Sequence, residues 1–274
     1  MIVADDLSGR RRAPGEKPVI NEEVQGSFTD KPVNQIEEIP AEKTAKKPNT
    51  QGLKDGIRLF NMRRWENALK ELLLVDDDGY SAEEQTELAY YLGLCYAKLE
   101  RFDEALEYLE QVVSNGGDPL RAYQCRMTLA YIYLTTGRAK LAEFELKRLQ
   151  SSGFESTSLY NTLAYAAYIQ KQYQDAVDLY EKALDLDKDN ATALNCMGYI
   201  LADTGMDPMR GLRFCRKALE HKPKNAAYLD SLGWAYYKCG NLSDARNYLR
   251  KAVELAPKEK EIKEHFRIVS GGSA

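Results

Sequence analysis

The chain of 274 residues repeats one phrase. It reads MTLAY at Met127 to Tyr131, NTLAY at Asn161 to Tyr165, NCMGY at Asn195 to Tyr199 and DSLGW at Asp230 to Trp234, with a looser copy, YYLGL, at Tyr90 to Leu94. Successive copies start 37, 34, 34 and 35 residues apart. A period of this length constrains the fold more than composition can, because one such unit is too short to bury its own apolar face. The copies must stack on one another and share a continuous core.

Each phrase is followed by a second apolar segment centred on a small residue: FDEALEYLEQVV, AKLAEFELKRL, YQDAVDLYEKAL, MRGLRFCRKAL and LSDARNYLRKAV. Both segments have apolar residues at helical spacing. The small residue of each first segment is Gly56, Gly93, Ala130, Ala164, Gly198 or Gly233, and that of each second segment is Ala68, Ala105, Ala142, Ala176, Gly211 or Ala245. Small side chains at one recurring place let two helix axes approach to the lower end of the usual range, about 8 Å. Leu92, Leu129, Leu163, Met197 and Leu232, with Tyr96, Tyr133 and Tyr236, are read as core around them. Ser81 and Glu84 have the spacing of a capping box. Gly137, Gly205 and Gly240 fit left-handed positions that end first helices, and Pro223 and Pro257 follow second helices. Three places depart from the pattern: Asp55 stands where a large apolar residue is expected, Lys171 replaces a turn glycine, and an insertion sits around Asp207 and Pro208.

The spacing and phrases together resemble the tetratricopeptide repeat family, of the bacterial type, and the segment AAYLDSLGWAYYKCGNLSDARNYLRKAVELAPKE is nearly a consensus copy. The resemblance implies an all-α fold, a right-handed α-solenoid of about six helix-turn-helix units closed by a short C-terminal capping helix. The units fall at about 49–85, 86–122, 123–156, 157–190, 191–225 and 226–259, with the terminal helix at about 259–269. Residues 1–48 read differently: they hold five of the nine prolines but one of the 27 aromatic residues, Phe28. So little apolar surface cannot offset the entropy of ordering, and this segment is expected to be a disordered tail.

The rest of the composition narrows the function. A net charge of -4 and a pI near 5.5 give no basic footprint for nucleic acid. No apolar run reaches the roughly 18 residues of a membrane span, and MIVADDLSGRRR lacks the apolar core of a signal peptide, so no membrane insertion and a cytoplasmic location are expected. A periplasmic or envelope location is the alternative if a leader has been removed. Cys95, Cys125, Cys196, Cys215 and Cys239 lack paired spacing and read as reduced, small apolar side chains. The two histidines, His221 and His265, have no metal-ligand spacing, and neither a phosphate loop nor a nucleophile motif is present. No enzyme activity, metal or cofactor is expected.

One face of the first helices is left over. At about 100° per residue, Asn161, Tyr165 and Tyr168 lie within roughly 60° of one another while Leu163 points nearly the opposite way. The equivalents are Met127 and Tyr131, then Asn195 and Tyr199, then Asp230, Trp234 and Tyr237. The resemblance implies that this face lines the concave side of the superhelix, where an extended peptide or partner helix docks. On this reading the core does not need the face, so its residues can be truncated without unfolding the protein. Asn and Asp can hydrogen-bond an extended main chain, and Tyr and Trp anchor interfaces. The nearby lysines, Lys54, Lys98 and Lys238, are spread over distant units, so the carboxylate clamp of some family members is not expected. The expected function is a scaffold or adaptor for a protein or peptide client. The alternative is a structural subunit of a multiprotein envelope or motility complex, self-associating through its solenoid faces as a homo-oligomer.

Overall fold

A computed structural model describes residues 50–271, so the segment 1–48 lies outside the described residues. Within them the chain forms thirteen helices and no strand. Six hairpins follow one another: α1 (Thr50–Asn61) with α2 (Trp65–Leu73), α3 (Ala82–Lys98) with α4 (Phe102–Asn115), and α5 (Pro119–Thr135) with α6 (Ala139–Ser151). Then come α7 (Thr157–Ile169) with α8 (Tyr173–Leu186), α9 (Ala191–Asp203) with α10 (Pro208–His221), and α11 (Ala226–Lys238) with α12 (Leu242–Leu255). A last helix, α13 (Lys260–Val269), follows alone. This is an all-α solenoid of stacked hairpins.

The first helices from α3 to α11 start on side-chain caps. Ser81 Oγ accepts from the Glu84 N–H at 3.2 Å while Glu84 Oε2 accepts from the Ser81 N–H at 2.8 Å, which closes the capping box. Asp118, Ser156, Asn190 and Asn225 cap α5, α7, α9 and α11 in the same way, each taking up donors that the first turn cannot pair internally. The turns inside the hairpins use another device, one left-handed residue. Gly137, Gly205 and Gly240 hold φ of 77°, 74° and 81°, and the same place is taken by Arg63, Glu100 and Lys171 at 59°, 58° and 63°. The residue after it donates its N–H to the carbonyl five positions back, as Gln172 does to Ala167 and Asn241 to Tyr236. Lys171 therefore makes the turn its glycine counterparts make. In the fifth hairpin Asp207 reaches back six positions, to Leu201, and then caps α10 by accepting from Arg210 N–H at 2.9 Å. The extra residue is absorbed there.

Each hairpin closes on its small residues. A β-carbon on Gly93 would come within 2.8 Å of Leu109, one on Gly233 within 2.7 Å of Leu249, and one on Gly198 within 2.8 Å of the Gly211 carbonyl. The hairpins are then joined because every second helix packs on the next first helix, α2 on α3 through to α12 on α13. First helices also touch one another, α1 with α3, α3 with α5, α5 with α7, α9 with α11 and α11 with α13, while second helices make no comparable contact. The stack therefore curves with the first helices on its inner side. Helix α13 holds the place of a seventh first helix.

Asp55 acquires a reason here. Its counterpart Leu232 packs against Ala202, Leu212 and Cys215 of the hairpin before it, but among the described residues no hairpin precedes α1. Asp55 instead accepts from Gln51 at 3.0 Å and pairs with Arg58 at 3.1 Å, so the first face of the stack is polar. All five cysteines are free, and burial pushes the Cys95 and Cys125 thiols up to about 12.

Candidate functional site

The inner face of the first helices carries two residues per turn of the repeat, and their character changes along the stack. One position runs Tyr90, Met127, Asn161, Asn195, Asp230, from aromatic and apolar through amide to acid. The position one turn on runs Leu94, Tyr131, Tyr165, Tyr199, Trp234. Adjacent first helices bring these rings together. Tyr165 lies 6.4 Å from Tyr168, and Tyr168 lies 6.0 Å from Tyr173 of α8 and 6.5 Å from Tyr199. Tyr199 is 6.2 Å from the His265 ring of α13, which stacks on Trp234 at 4.1 Å, and Trp234 is 5.1 Å from Tyr237. The result is one ribbon of rings from Tyr173 to Tyr237. Tyr131 stands apart from it, edge-on to Phe102 at 6.3 Å.

The sequence pattern placed Tyr165, Tyr199 and Trp234 in one strip, and the structure joins them only through two further rings, Tyr168 and His265. It also corrects the expectation that the core does not need this face. Tyr131, Tyr165, Tyr168 and Tyr237 are half-buried, but Met127, Asn161, Asn195, Tyr199, Asp230 and Trp234 are buried. The cause is curvature together with α13: the inner side is where first helices crowd, and at the C-terminal end a further helix lies on it. Trp234 is only 8% exposed, and its Nε1 donates to Asp203 Oδ1 at 2.8 Å. It packs in its own right.

The polar residues of the strip differ in how they are satisfied. Asn161 donates through Nδ2 to Asn190 Oδ1 at 3.1 Å, while its own Oδ1 is buried without a partner among the described residues. Asn195 is 1% exposed, and neither its Nδ2 nor its Oδ1 has a hydrogen-bond partner among the described residues. A buried, unmatched amide costs about 1–3 kcal/mol. Asp230, 2% exposed, faces His265 Nδ1 at 2.9 and 3.1 Å through its two carboxylate oxygens. Lys238 donates to the Asp203 carbonyl at 2.9 Å, pairs with its carboxylate at 3.3 Å and lies 5.2 Å from the centre of the Trp234 ring. That lysine is engaged locally rather than held out for a carboxylate.

His265, Tyr173 and Asp203 were not singled out by the sequence pattern. His265 had a signal, since it follows Asp230 by 35 residues, one repeat length, but the repeat phrase is not written in the terminal helix. Among the described residues no group of three or more histidine, cysteine or acidic side chains is placed to hold a metal ion, and no helix is long and apolar enough to cross a membrane.

Comparison with known proteins agrees with this geometry. A family profile described as tetratricopeptide repeat matches residues 86–115 and 226–259, and one described as TPR repeat matches residues 164–205. The TPR repeat-containing protein PA4667 of Pseudomonas aeruginosa is 41% identical over 78 residues, 28% of this chain and 13% of that protein. The matched stretch thus spans under a sixth of the relative's length, about 13%. Among solved structures, the Cut9–Hcn1 hetero-tetramer of the APC/C aligns with a TM-score of 0.63 at 15% identity, covering 80% of this chain and 42% of that one. YrrB, described as a TPR protein with an unusual peptide-binding site, aligns at 0.52 with 17% identity, covering 73% and 96%.

Proposed function

The chain is a tetratricopeptide repeat protein, and on that premise we propose that it is a scaffold or adaptor whose inner face docks an extended segment or helix of a partner protein. Solenoids of this kind present extended concave surfaces to protein partners. The observation that carries the reading is the ribbon of rings on that face. The close approaches inside the hairpins are made by small residues, leucines and Cys215, whereas Tyr131, Tyr165, Tyr168 and Tyr237 pack against the edge of the core and keep part of their surface open. Tyrosine gives broad apolar contact with a polar edge at low entropic cost. Asn195 adds an unmatched amide that an extended main chain satisfies once the side chains covering it move aside. The neighbour YrrB is described as peptide-binding, which is in keeping with this use of the fold.

The half-buried tyrosines are the right probes, because truncating them perturbs the fold least. The test screens a library of extended peptides against residues 1–274 and measures the best binder on Tyr165→Ala and Tyr168→Ala. Loss of about 1–2 kcal/mol of affinity from each, with the variant still folded at the binding temperature, is the expected result. Full affinity in both variants overturns the proposal.

A further inference from the structure

The C-terminal end of the strip differs chemically from the rest of it. Where Asn161 and Asn195 stand in the two hairpins before, the last hairpin has a carboxylate, Asp230, buried almost completely. A buried carboxylate needs N–H donors to be tolerated. Among the described residues, the one that faces it comes from the ring of His265, lying flat on Trp234 at 18° and tilted 34° to Tyr199. The neighbouring acid, Asp203, is already matched by Trp234 Nε1 and Lys238, and Glu264 on α13 is matched by Arg267.

We infer that Asp230, Trp234 and Tyr199 form a receptor for one flat, nitrogen-bearing basic side chain of a docked segment, an imidazole or a guanidinium, and that α13 fills it in cis with His265. This rests on the reading of the inner face as a docking surface and names what its C-terminal end selects. The two rings supply flat faces that suit a planar cation, and the carboxylate supplies its acceptor. Lysine fits less well, having no plane to stack. The present occupant sits on an end element: α13 is the last helix among the described residues, packs mainly on α11 and α12, meets α9 through the Tyr199 and His265 rings, and buries Ile262, His265 and Val269. An end element with neighbours on one side opens at the lowest cost in a repeat stack. A partner segment that brings its own histidine or arginine competes for the same carboxylate.

The experiment uses the full chain and a labelled synthetic peptide copying residues 259–271, EKEIKEHFRIVSG. In the wild type the tethered helix competes at an effective concentration of roughly millimolar, whereas in His265→Ala the receptor is vacant, so the variant binds the peptide at least about tenfold tighter. Peptides with arginine in place of the histidine bind that variant within about tenfold of the original, and those with alanine or glutamate lose about tenfold or more, the value of a hydrogen bond to a charged group. Adding Asp230→Asn removes the preference for histidine. Equal binding of the histidine, alanine and glutamate peptides overturns the receptor. Should His265→Ala fail to fold, Trp65→Phe leaves Trp234 as the sole tryptophan, and its emission responds to excess histidine peptide but not to the alanine peptide; equal responses overturn the inference. A lost histidine preference with the effects of Tyr165→Ala and Tyr168→Ala intact removes the receptor and leaves the docking surface. The reverse pattern removes the docking surface alone.

Discussion

Trp234 shows how one side chain serves packing and recognition together. It is buried between α11 and α13 and hydrogen-bonded to Asp203, so Trp234→Ala is expected to cost about 3–5 kcal/mol of stability, measured by urea unfolding. Trp234→Phe keeps most of the apolar contact and loses the Nε1 bond, for about 1 kcal/mol. A melting curve unchanged by the alanine variant contradicts the packing described here. Glu143 offers a second test, through pH. Its carboxyl accepts first from Lys147 and then from Gln170, which holds it below the ordinary carboxylate range. A carboxyl lowered by folding contributes stability above the ordinary carboxylate range and loses it as the pH falls on through its lowered folded value. The stability difference between wild type and Glu143→Gln should thus be largest near neutrality and shrink progressively as the pH falls below about 4. A constant difference across that window removes the assigned partners.

The helices and their junctions were largely legible in the residues, and for an identifiable reason. Gly56, Gly93, Gly198 and Gly233 repeat at one place of the first helices because a β-carbon there would strike the facing helix, and the need for a small residue leaves a mark in every copy. Gly198→Ala, with 2.7 Å to Cys215 Sγ and 2.8 Å to the Gly211 carbonyl, should cost about 1–3 kcal/mol in thermal unfolding. The turn at Lys171 was less legible, since a lysine side chain says nothing about a φ of 63°; the geometry comes from the carbonyl closure around it. Lys171→Gly should accordingly gain about 0.5–1 kcal/mol, and a loss would show that the lysine makes contacts beyond its backbone. The candidate site was legible only in part. Helical periodicity separates a face from its opposite, but it cannot tell an open inner face from one that neighbouring helices cover. For that reason Asn195 and Trp234 were found and their burial was not. His265 escaped because the terminal helix keeps the register of the repeat without its words.

At the scale of the whole molecule, contacts among the described residues run mainly between successive hairpins, with the Tyr199 and His265 rings as a reach across one unit, so damage should stay local. Hydrogen exchange on Gly198→Ala is expected to quicken across α9 to α12 and to leave α3 and α4 as they were; uniform quickening would mean that the stack unfolds as one body. The two ends of that stack are unlike. The last hairpin is covered by α13, whereas the first presents Asp55, Arg58 and Gln51 where every later hairpin presents leucine or methionine to its predecessor. Growth by gene duplication is thereby directional. A copied unit can be spliced into the interior or ahead of α13, where its leucine finds a floor, but a unit added before α1 would have to bury a carboxylate and a guanidinium. Copies should therefore be spliced in beside α3 to α12 more often than against Asp55.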